Sequence, residues 1–478
     1  MTDSLKSQAV KGVVWSAVER FSVQGIQFVL SIIIARLVAP SEYGLIAMLG
    51  IFLAIAQTFI DSGFSIALIQ KKDRTEVDFS TVFYFNIIIS LVVYLLLFFA
   101  APYITIFYNE PSLNIITKWL GLNIIISAFS IVQCAKLTIR LDFKTQAKAS
   151  LIAVVISGIC GIILAYTGYG VWALVFQSLL NNLLNTFLLC FFTRWIPTME
   201  FSWQSFRILF TFGSKLLLSG LLHTIYLNLY SLVIGKRYSA IDVGYYNRAY
   251  SMVQYFSVNI VGVLTRAIYP MQCDLQDNEE QLKYSFIQYL QVSCYFIFPL
   301  MIGISILAKP LIVVLLTEAW LPTAELLSIL CLAYIWYPIM LVNNQILKVK
   351  GRSDYFLKAE IIKKIVAILI LFITLPWGVR NLCWGVFFYN IIDCIIIIYF
   401  TKKVINIGYW EQMKNILPLL IINIVMAVVL WIFVLFVQQV WLQLLGGGLV
   451  SITVYLIMSF LFNIDLLYKL LHVLKLKK

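Results

Sequence analysis

The sequence predicts an all-α integral membrane protein with about fourteen transmembrane helices. The chain has 478 residues, 62% of them hydrophobic and 12% charged, and a mean hydropathy of +0.94. A soluble domain of this length does not have such a composition. Two further observations support the prediction: apolar runs of spanning length recur along the whole chain, and a polar pattern in the first run returns in the second half.

Fourteen apolar runs are long enough to span a bilayer, which takes roughly 20 residues each. They lie at about 10–35, 45–69, 80–106, 114–135, 148–167, 170–192, 208–234, 247–271, 285–308, 323–347, 359–377, 381–401, 415–437 and 441–463. The first run carries Glu19 and Arg20 near its middle and has no small-residue cleavage motif. We therefore expect a retained helix there and not a secretion signal.

A polar stripe follows one face of the first helix. Its members are Ser16, Arg20, Gln24, Gln27 and Ser31. Spacings of three and four residues place these side chains within an arc of about 80° on a helix, with Glu19 at the edge. A stripe that holds charges is costly in contact with lipid, so we expect it to face protein or water.

The stripe and the loop after it recur in the second half of the chain. The second stripe lies 199 residues further on, at Lys215, Ser219, His223, Tyr226 and Tyr230. The loop residues Glu42-Tyr43-Gly44 correspond to Asp242-Val243-Gly244, at an offset of 200. Together they predict an internal repeat, which in membrane transporters produces two bundles on either side of a central site.

Lysine and arginine orient the helices. With the N-terminus inside, 27 of the 35 basic residues fall in cytoplasmic segments and five in outer loops, among them Lys309 and Arg380. This bias predicts cytoplasmic termini. It also accounts for most of the net charge of +13 without a nucleic-acid partner.

Charged and amide side chains inside the spans are the candidates for function. The proposed binding residues are Arg20, Gln24, Gln27, Lys215, His223, Arg248, Asn343 and Asn344, and the membrane carboxylates are Glu19, Asp61 and Asp393. Helix-packing hydrogen bonds, internal ion pairs and, for Arg248, snorkelling to the interface are the structural alternatives. The aromatic run 244–250 is typical of an interfacial belt or of a platform for sugar rings, and the basic connection 136–148 sets topology or attracts an anionic lipid.

No catalytic, metal or cofactor site is predicted. The sequence contains no phosphate-binding loop, no Asp-x-Asp pair and no nucleophile elbow. Two histidines are too few for a histidine-based metal site, and the eight cysteines mostly lie in apolar runs. An enzyme is therefore the weaker class.

Several segments resemble a known family. The runs VERFSVQGIQFVLSIIIARLVAPSEYGLIAML, FIDSGFSIALIQKKDRTEVDFSTVFYFN, GYGVWALVFQ, VGYYNRAY and NNQILKVKGRSDYFLK are similar to the bacterial polysaccharide transporter family. Within that family the resemblance is to the colanic-acid type of Wzx lipid-linked oligosaccharide flippase. This type belongs to the multidrug, oligosaccharidyl-lipid and polysaccharide exporter superfamily.

The resemblance implies two pseudo-symmetric six-helix lobes around a central cavity, at 1–203 and 204–402, with two additional helices and a tail at 403–478. It implies alternating access in the bacterial inner membrane, and undecaprenyl-pyrophosphate-linked oligosaccharide as substrate for surface polysaccharide export. Membrane lipids and polysaccharide polymerase or export machinery are the implied partners. Without an ATP site, a proton or sodium gradient would supply energy through Glu19, Asp61 or Asp393, or the product would be consumed downstream.

Two other functions remain open. A drug or ion antiporter of the same superfamily would share the fold, although a cationic-drug exporter should prefer acidic walls over cations and amides. A membrane glycosyltransferase or polymerase would need catalytic carboxylates in a sizeable polar loop, and the sequence has none.

Overall fold

A computed structural model describes residues 22–61, 64–71, 73–140 and 142–462. These residues form helices and connecting turns, with no β-strand among them. Ten helices in this part of the chain are long and apolar enough to cross a membrane, by length and composition. Each predicted apolar run coincides, where it is described, with one to three consecutive helical segments. The predicted all-α membrane fold is confirmed.

The chain divides into two compact units, Met1–Gly244 and Tyr245–Lys478. The first unit extends beyond the predicted boundary at residue 203, and the three-part division at 203 and 402 stays a prediction.

The helices of the first unit are α1 (Ser22–Leu37), α2 (Pro40–Asp61), α3 (Phe64–Gln70), α4 (Glu76–Tyr108), α5 (Leu113–Ala128), α6 (Ile131–Ile139), α7 (Phe143–Tyr166), α8 (Val171–Thr193), α9 (Trp203–Arg237) and the start of α10 (Ala240–Val253).

The second unit begins within α10. The helix continues as a π-helix (Gln254–Val258) and then as α11 (Asn259–Asp274). The remaining helices are α12 (Glu279–Ile306), α13 (Ala308–Leu315), α14 (Leu321–Tyr334), α15 (Tyr337–Val349), α16 (Ser353–Thr374), α17 (Val379–Ile405), α18 (Tyr409–Phe436) and α19 (Val440–Leu461).

The two repeated loops start their helices in the same way. Before α2, the backbone N–H of Ala39 donates to Glu42 Oε2 at 3.2 Å. Before α10, the backbone N–H of Ser239 donates to Asp242 Oδ2 at 3.2 Å, and the Ser239 hydroxyl donates to the same oxygen at 2.6 Å. A carboxylate in the first turn satisfies backbone donors that a helix start leaves free, and it suits the positive end of the helix. Glu42 and Asp242, which are 200 residues apart, therefore have the same structural role.

A buried lysine ties the α8–α9 connection to the start of α4. Lys136 on α6 pairs with Glu76 at 2.7 Å and lies 4.7 Å from the centre of the Trp195 ring. The Trp195 indole N–H donates to Glu76 Oε2 at 2.7 Å, and the Thr198 backbone N–H donates to Ser80 Oγ at 2.9 Å. Because Lys136 is buried, its charge balances Glu76 inside the first unit and does not face a lipid headgroup.

Candidate functional site

Two helices of the second unit are interrupted. The helix that starts at Ala240 passes through the π-helix at Gln254–Val258, and the helix that ends at Tyr334 resumes at Tyr337. π-Helical turns occur frequently at functional sites. Broken helices at membrane depth are tolerated where protein or a cavity surrounds them, and transporters often build substrate sites from them. We therefore place the candidate site of this unit at these interruptions.

The break between α14 and α15 has a local cause and a specific support. Pro338 lies in the first turn of α15, and proline has no backbone N–H to continue the preceding helix. Side chains of α17 donate to carbonyl groups at the break: Asn390 Nδ2 to Ala333 O at 2.9 Å and Cys394 Sγ to Trp336 O at 3.7 Å. The Asn390 bond stabilises the interruption by satisfying a backbone acceptor that a continuous helix would have bonded itself, whereas Trp336 O also accepts the backbone N–H of Met340 at 3.2 Å.

Tyrosines on either side of the α14–α15 break contact one another and two tyrosines of α10. The rings of Tyr246 and Tyr250 on α10 are stacked with centroids 6.0 Å apart. Tyr250 meets Tyr334 at 6.3 Å in an edge-on arrangement, and Tyr334 stacks on Tyr337 across the break at 6.0 Å. We call Tyr246, Tyr250, Tyr334 and Tyr337 the tyrosine cluster. Tyrosine combines an apolar face with a hydroxyl, which suits a ligand that has both apolar and hydroxyl surfaces.

Arg248 lies on α10, two residues from both Tyr246 and Tyr250, so its side chain leaves the helix on a different face from these tyrosines. Only 8% of the residue is exposed. A lipid-facing, snorkelling side chain would be exposed on the surface of the isolated chain, so the structure does not support that alternative. A buried guanidinium is stable only with anionic or hydrogen-bonding partners around it. Arg248 has an interaction within the chain, and its role in binding an anion stays a prediction.

The predicted amides of α15 differ in their surroundings. Asn343 is fully buried and exchanges two hydrogen bonds with Gln412 of α18, at 2.9 and 3.0 Å. This pairing is the helix-packing alternative, and a binding role for Asn343 stays a prediction. Asn344 is half-buried, and its Oδ1 has no hydrogen-bond partner among the described residues. Of the two amides, Asn344 retains an acceptor for a ligand or a water molecule.

Asp393 belongs to a buried charge cluster between α16 and α17. Its Oδ1 lies 3.4 Å from Lys363 Nζ, and the Tyr389 hydroxyl donates to Oδ2 at 3.4 Å. Lys363 is 3% exposed and also pairs with Glu360. Lys363 is one of the 27 basic residues that the charge bias assigns to cytoplasmic segments, whereas the structure places it inside the unit beside two carboxylates. An internal ion pair of this kind compensates the cost of burying each charge.

The other predicted residues lie in the first unit. On α1, Gln24 is half-buried and Gln27 is exposed, and on α9 His223 is exposed. Glu19 and Arg20 lie outside the described residues, and so do the side chains of Asp61 and Lys215. Their roles stay predictions.

Sequence reasoning missed Tyr334, Tyr337 and Lys363 as members of these sites. Pro338 within the run 323–347 could have indicated the break. The aromatic run 244–250 was recognised, but its contact with Tyr334 was not. No group of three or more histidine, cysteine, aspartate or glutamate residues suited to a metal ion occurs in the described ranges.

Comparison with known proteins relates the chain to polysaccharide synthesis. Residues 33–325 match the model of a family described as polysaccharide biosynthesis protein. An uncharacterized membrane protein in the cps region of Klebsiella pneumoniae is 22% identical over 465 residues, which cover 95% of this chain and 96% of that protein. The lipopolysaccharide biosynthesis protein WzxC of Escherichia coli strain K12 is 24% identical over 366 residues, covering 75% of this chain and 74% of WzxC.

A solved structure shares the fold. The lipid II flippase MurJ in an inward closed conformation superposes with a TM-score of 0.76 at 18% identity, covering 95% of this chain and 100% of MurJ. The superposition therefore extends over nearly the whole chain.

Proposed function

The chain belongs to the polysaccharide biosynthesis protein family, and from that premise we propose that it is a flippase for lipid-linked oligosaccharides. The substrate is an oligosaccharide repeat unit on undecaprenyl pyrophosphate, which crosses the bacterial inner membrane by alternating access for surface polysaccharide export. WzxC acts in lipopolysaccharide biosynthesis and MurJ is a lipid flippase, by their names, and both likenesses support this proposal.

The observation that carries the proposal is that one interrupted helix carries both the buried Arg248 and, on another face, two tyrosines of the cluster. A pyrophosphate that bears sugars cannot enter hydrocarbon unaided, because the loss of hydration around its charges is prohibitive. A guanidinium replaces part of that hydration with charge-assisted hydrogen bonds. The tyrosine rings offer faces and hydroxyls to the sugars.

Energy for transport would come from a proton or sodium gradient, or from downstream use of the product. Glu19, Asp61 and Asp393 are the carboxylates that we consider for coupling. The ion pair with Lys363 supports a structural role for Asp393, which moves Glu19 and Asp61 ahead of it. We expect both termini in the cytoplasm, and a polysaccharide polymerase to accept the flipped product.

A deletion strain tests the proposed function. Cells that synthesise the surface polysaccharide but lack this protein should accumulate lipid-linked repeat units that remain on the cytoplasmic face, while the polymer disappears from the surface. Expression of the full chain should restore the polymer. Loss of the polymer without accumulation of the lipid-linked units would instead place the protein at a synthetic step, as a glycosyltransferase or polymerase, and would contradict the proposal.

A further inference from the structure

The second unit contains a polar pocket away from the tyrosine cluster. It has a volume of about 570 Å³ and lies where α12 and α18 end and where α13 and α19 begin. We call it the Lys309 pocket. Its polar lining consists of Lys309, Trp431, Gln438, Gln443, Ser305 and Ser328. The pocket therefore opens at one end of the helices, where a membrane protein meets the headgroup region.

Lys309 supplies this pocket with a positive charge that nothing in it balances. No carboxylate is among the lining residues. Within the described part of the chain, Lys309 has no ion pair and no side-chain hydrogen bond, whereas Arg380 is paired with Glu325 at 2.8 Å. Lys309 is also the second residue of α13, where the helix dipole does not favour a cation. Lys309 is exposed at this pocket, so an anion from outside the chain can reach it and would balance its charge at the start of α13.

Neutral groups around the cation suit a polar headgroup. The hydroxyls of Ser305 and Ser328 lie 2.9 Å apart, and the Gln443 amide holds the end of α18 by donating to Val437 O at 2.7 Å. The amide of Gln438 is exposed, and Trp431 is 57% exposed. The donors of Gln443 and Ser305 already bond backbone carbonyls. The amide of Gln438 and the indole N–H of Trp431, next to the lysine, can donate hydrogen bonds to phosphate oxygens.

An apolar cavity of about 500 Å³ is formed by the same helices further from their ends. It is lined by Leu300 of α12, Met426 of α18 and Leu444 of α19. On each of these helices the residue that lines the apolar cavity lies further from the helix end than the residues that line the polar pocket. A polar pocket above an apolar cavity matches the two parts of an amphiphile.

We propose that the Lys309 pocket binds the phosphate of an anionic membrane phospholipid, with an acyl chain in the apolar cavity. Basic pockets between transmembrane helices recognise lipid headgroups in this way. The general bias of basic residues does not account for Lys309, since it is one of only five basic residues that the sequence assigns to the opposite face of the membrane. This site is separate from the tyrosine cluster and does not depend on the identity of the transported substrate.

Lipid binding to the purified full chain tests the proposal. Delipidated wild-type protein, Lys309→Gln, Lys309→Arg and the control Arg380→Gln are each titrated with phosphatidylglycerol, and bound lipid is counted by native mass spectrometry. We expect Lys309→Gln to weaken phosphatidylglycerol binding about tenfold, the factor that one charge-assisted contact supplies. Lys309→Arg and Arg380→Gln should bind like the wild type. Phosphatidylcholine and inorganic phosphate should compete poorly.

Three results would overturn the proposal. Equal binding by Lys309→Gln and the wild type would show that the pocket is not the lipid site. An equal loss of phosphatidylglycerol binding in Arg380→Gln would show that the lipid responds to general surface charge and not to the pocket. Competition by inorganic phosphate as effective as that of phosphatidylglycerol would assign the pocket to a free anion and not to a lipid.

Discussion

Gly44 and Gly244 occupy equivalent positions of the repeat and make equivalent close contacts. A Cβ atom on Gly44 would lie 1.6 Å from the carbonyl oxygen of Ala240, and one on Gly244 would lie 2.1 Å from the carbonyl oxygen of Pro40. Pro40 and Ala240 are themselves 200 residues apart. Each helix start thus packs against the backbone of its counterpart, and only glycine permits the approach.

This contact predicts that Gly44→Ala destabilises the first unit. The methyl group would meet backbone atoms that cannot rotate away, so the helix starts must separate, at a cost of about 1–3 kcal/mol or more. Thermal unfolding of the purified protein measures the loss. Gly25→Ala is the matched control, because its Cβ would meet no atom within 4 Å. Equal melting temperatures for Gly44→Ala and Gly25→Ala would contradict the close contact.

The charge of Arg248 predicts a selective loss of export. Replacing it with glutamine should remove the proposed charge-assisted contact to pyrophosphate, at a cost of roughly 1.5–3 kcal/mol, and lower export about tenfold or more. Surface polymer and protein abundance are measured together in complemented deletion cells. The control is Arg237→Gln, which changes an exposed arginine at the end of α9. Wild-type export by Arg248→Gln at normal abundance would assign Arg248 to packing.

From the tyrosine cluster we expect the ring and the hydroxyl of Tyr334 to contribute separately to export. Tyr334→Phe keeps the ring and should retain most export, whereas Tyr334→Leu removes the aromatic face and should lose more, by about 0.5–1.5 kcal/mol per lost aromatic contact. Tyr399→Leu, at an exposed position of α17, controls for loss of a tyrosine as such. If Tyr334→Leu and Tyr399→Leu export equally well, the cluster does not contact the glycan.

The Lys363 ion pair predicts that Asp393 acts on stability more than on coupling. Asp393→Asn leaves Lys363 with Glu360 as its remaining described partner and should destabilise the protein by roughly 3 kcal/mol, the lower end for a broken buried pair. The double variant Asp393→Asn, Lys363→Met should recover part of that loss. Transport in vesicles should still respond to a proton or sodium gradient. A stable Asp393→Asn variant whose transport ignores every gradient would make Asp393 the coupling residue.

The sequence predicted the helices well because spanning length and hydropathy are local properties. The matching helix caps at Glu42 and Asp242 support the repeat that was recognised from spacing alone. The interruption at Tyr334–Tyr337 was not predicted, since Pro338 lies in an apolar run whose hydropathy is uninterrupted. Its stability depends on Asn390 and Cys394, more than 50 residues away, and such pairings have no local signal. The pairing of Lys363 with Asp393 likewise has no local signal in the sequence, so the charge bias alone assigned Lys363 to a cytoplasmic segment.

Flipping by the purified chain tests the central claim most directly. Undecaprenyl-pyrophosphate-linked oligosaccharide is placed in both leaflets of vesicles that contain the full-length protein, and an impermeant glycosidase is added outside. The account predicts that glycan from the inner leaflet becomes accessible over time, and that Arg248→Gln vesicles release it about tenfold more slowly. An inner-leaflet fraction that stays as protected as in protein-free vesicles, with or without ion gradients, would contradict the account.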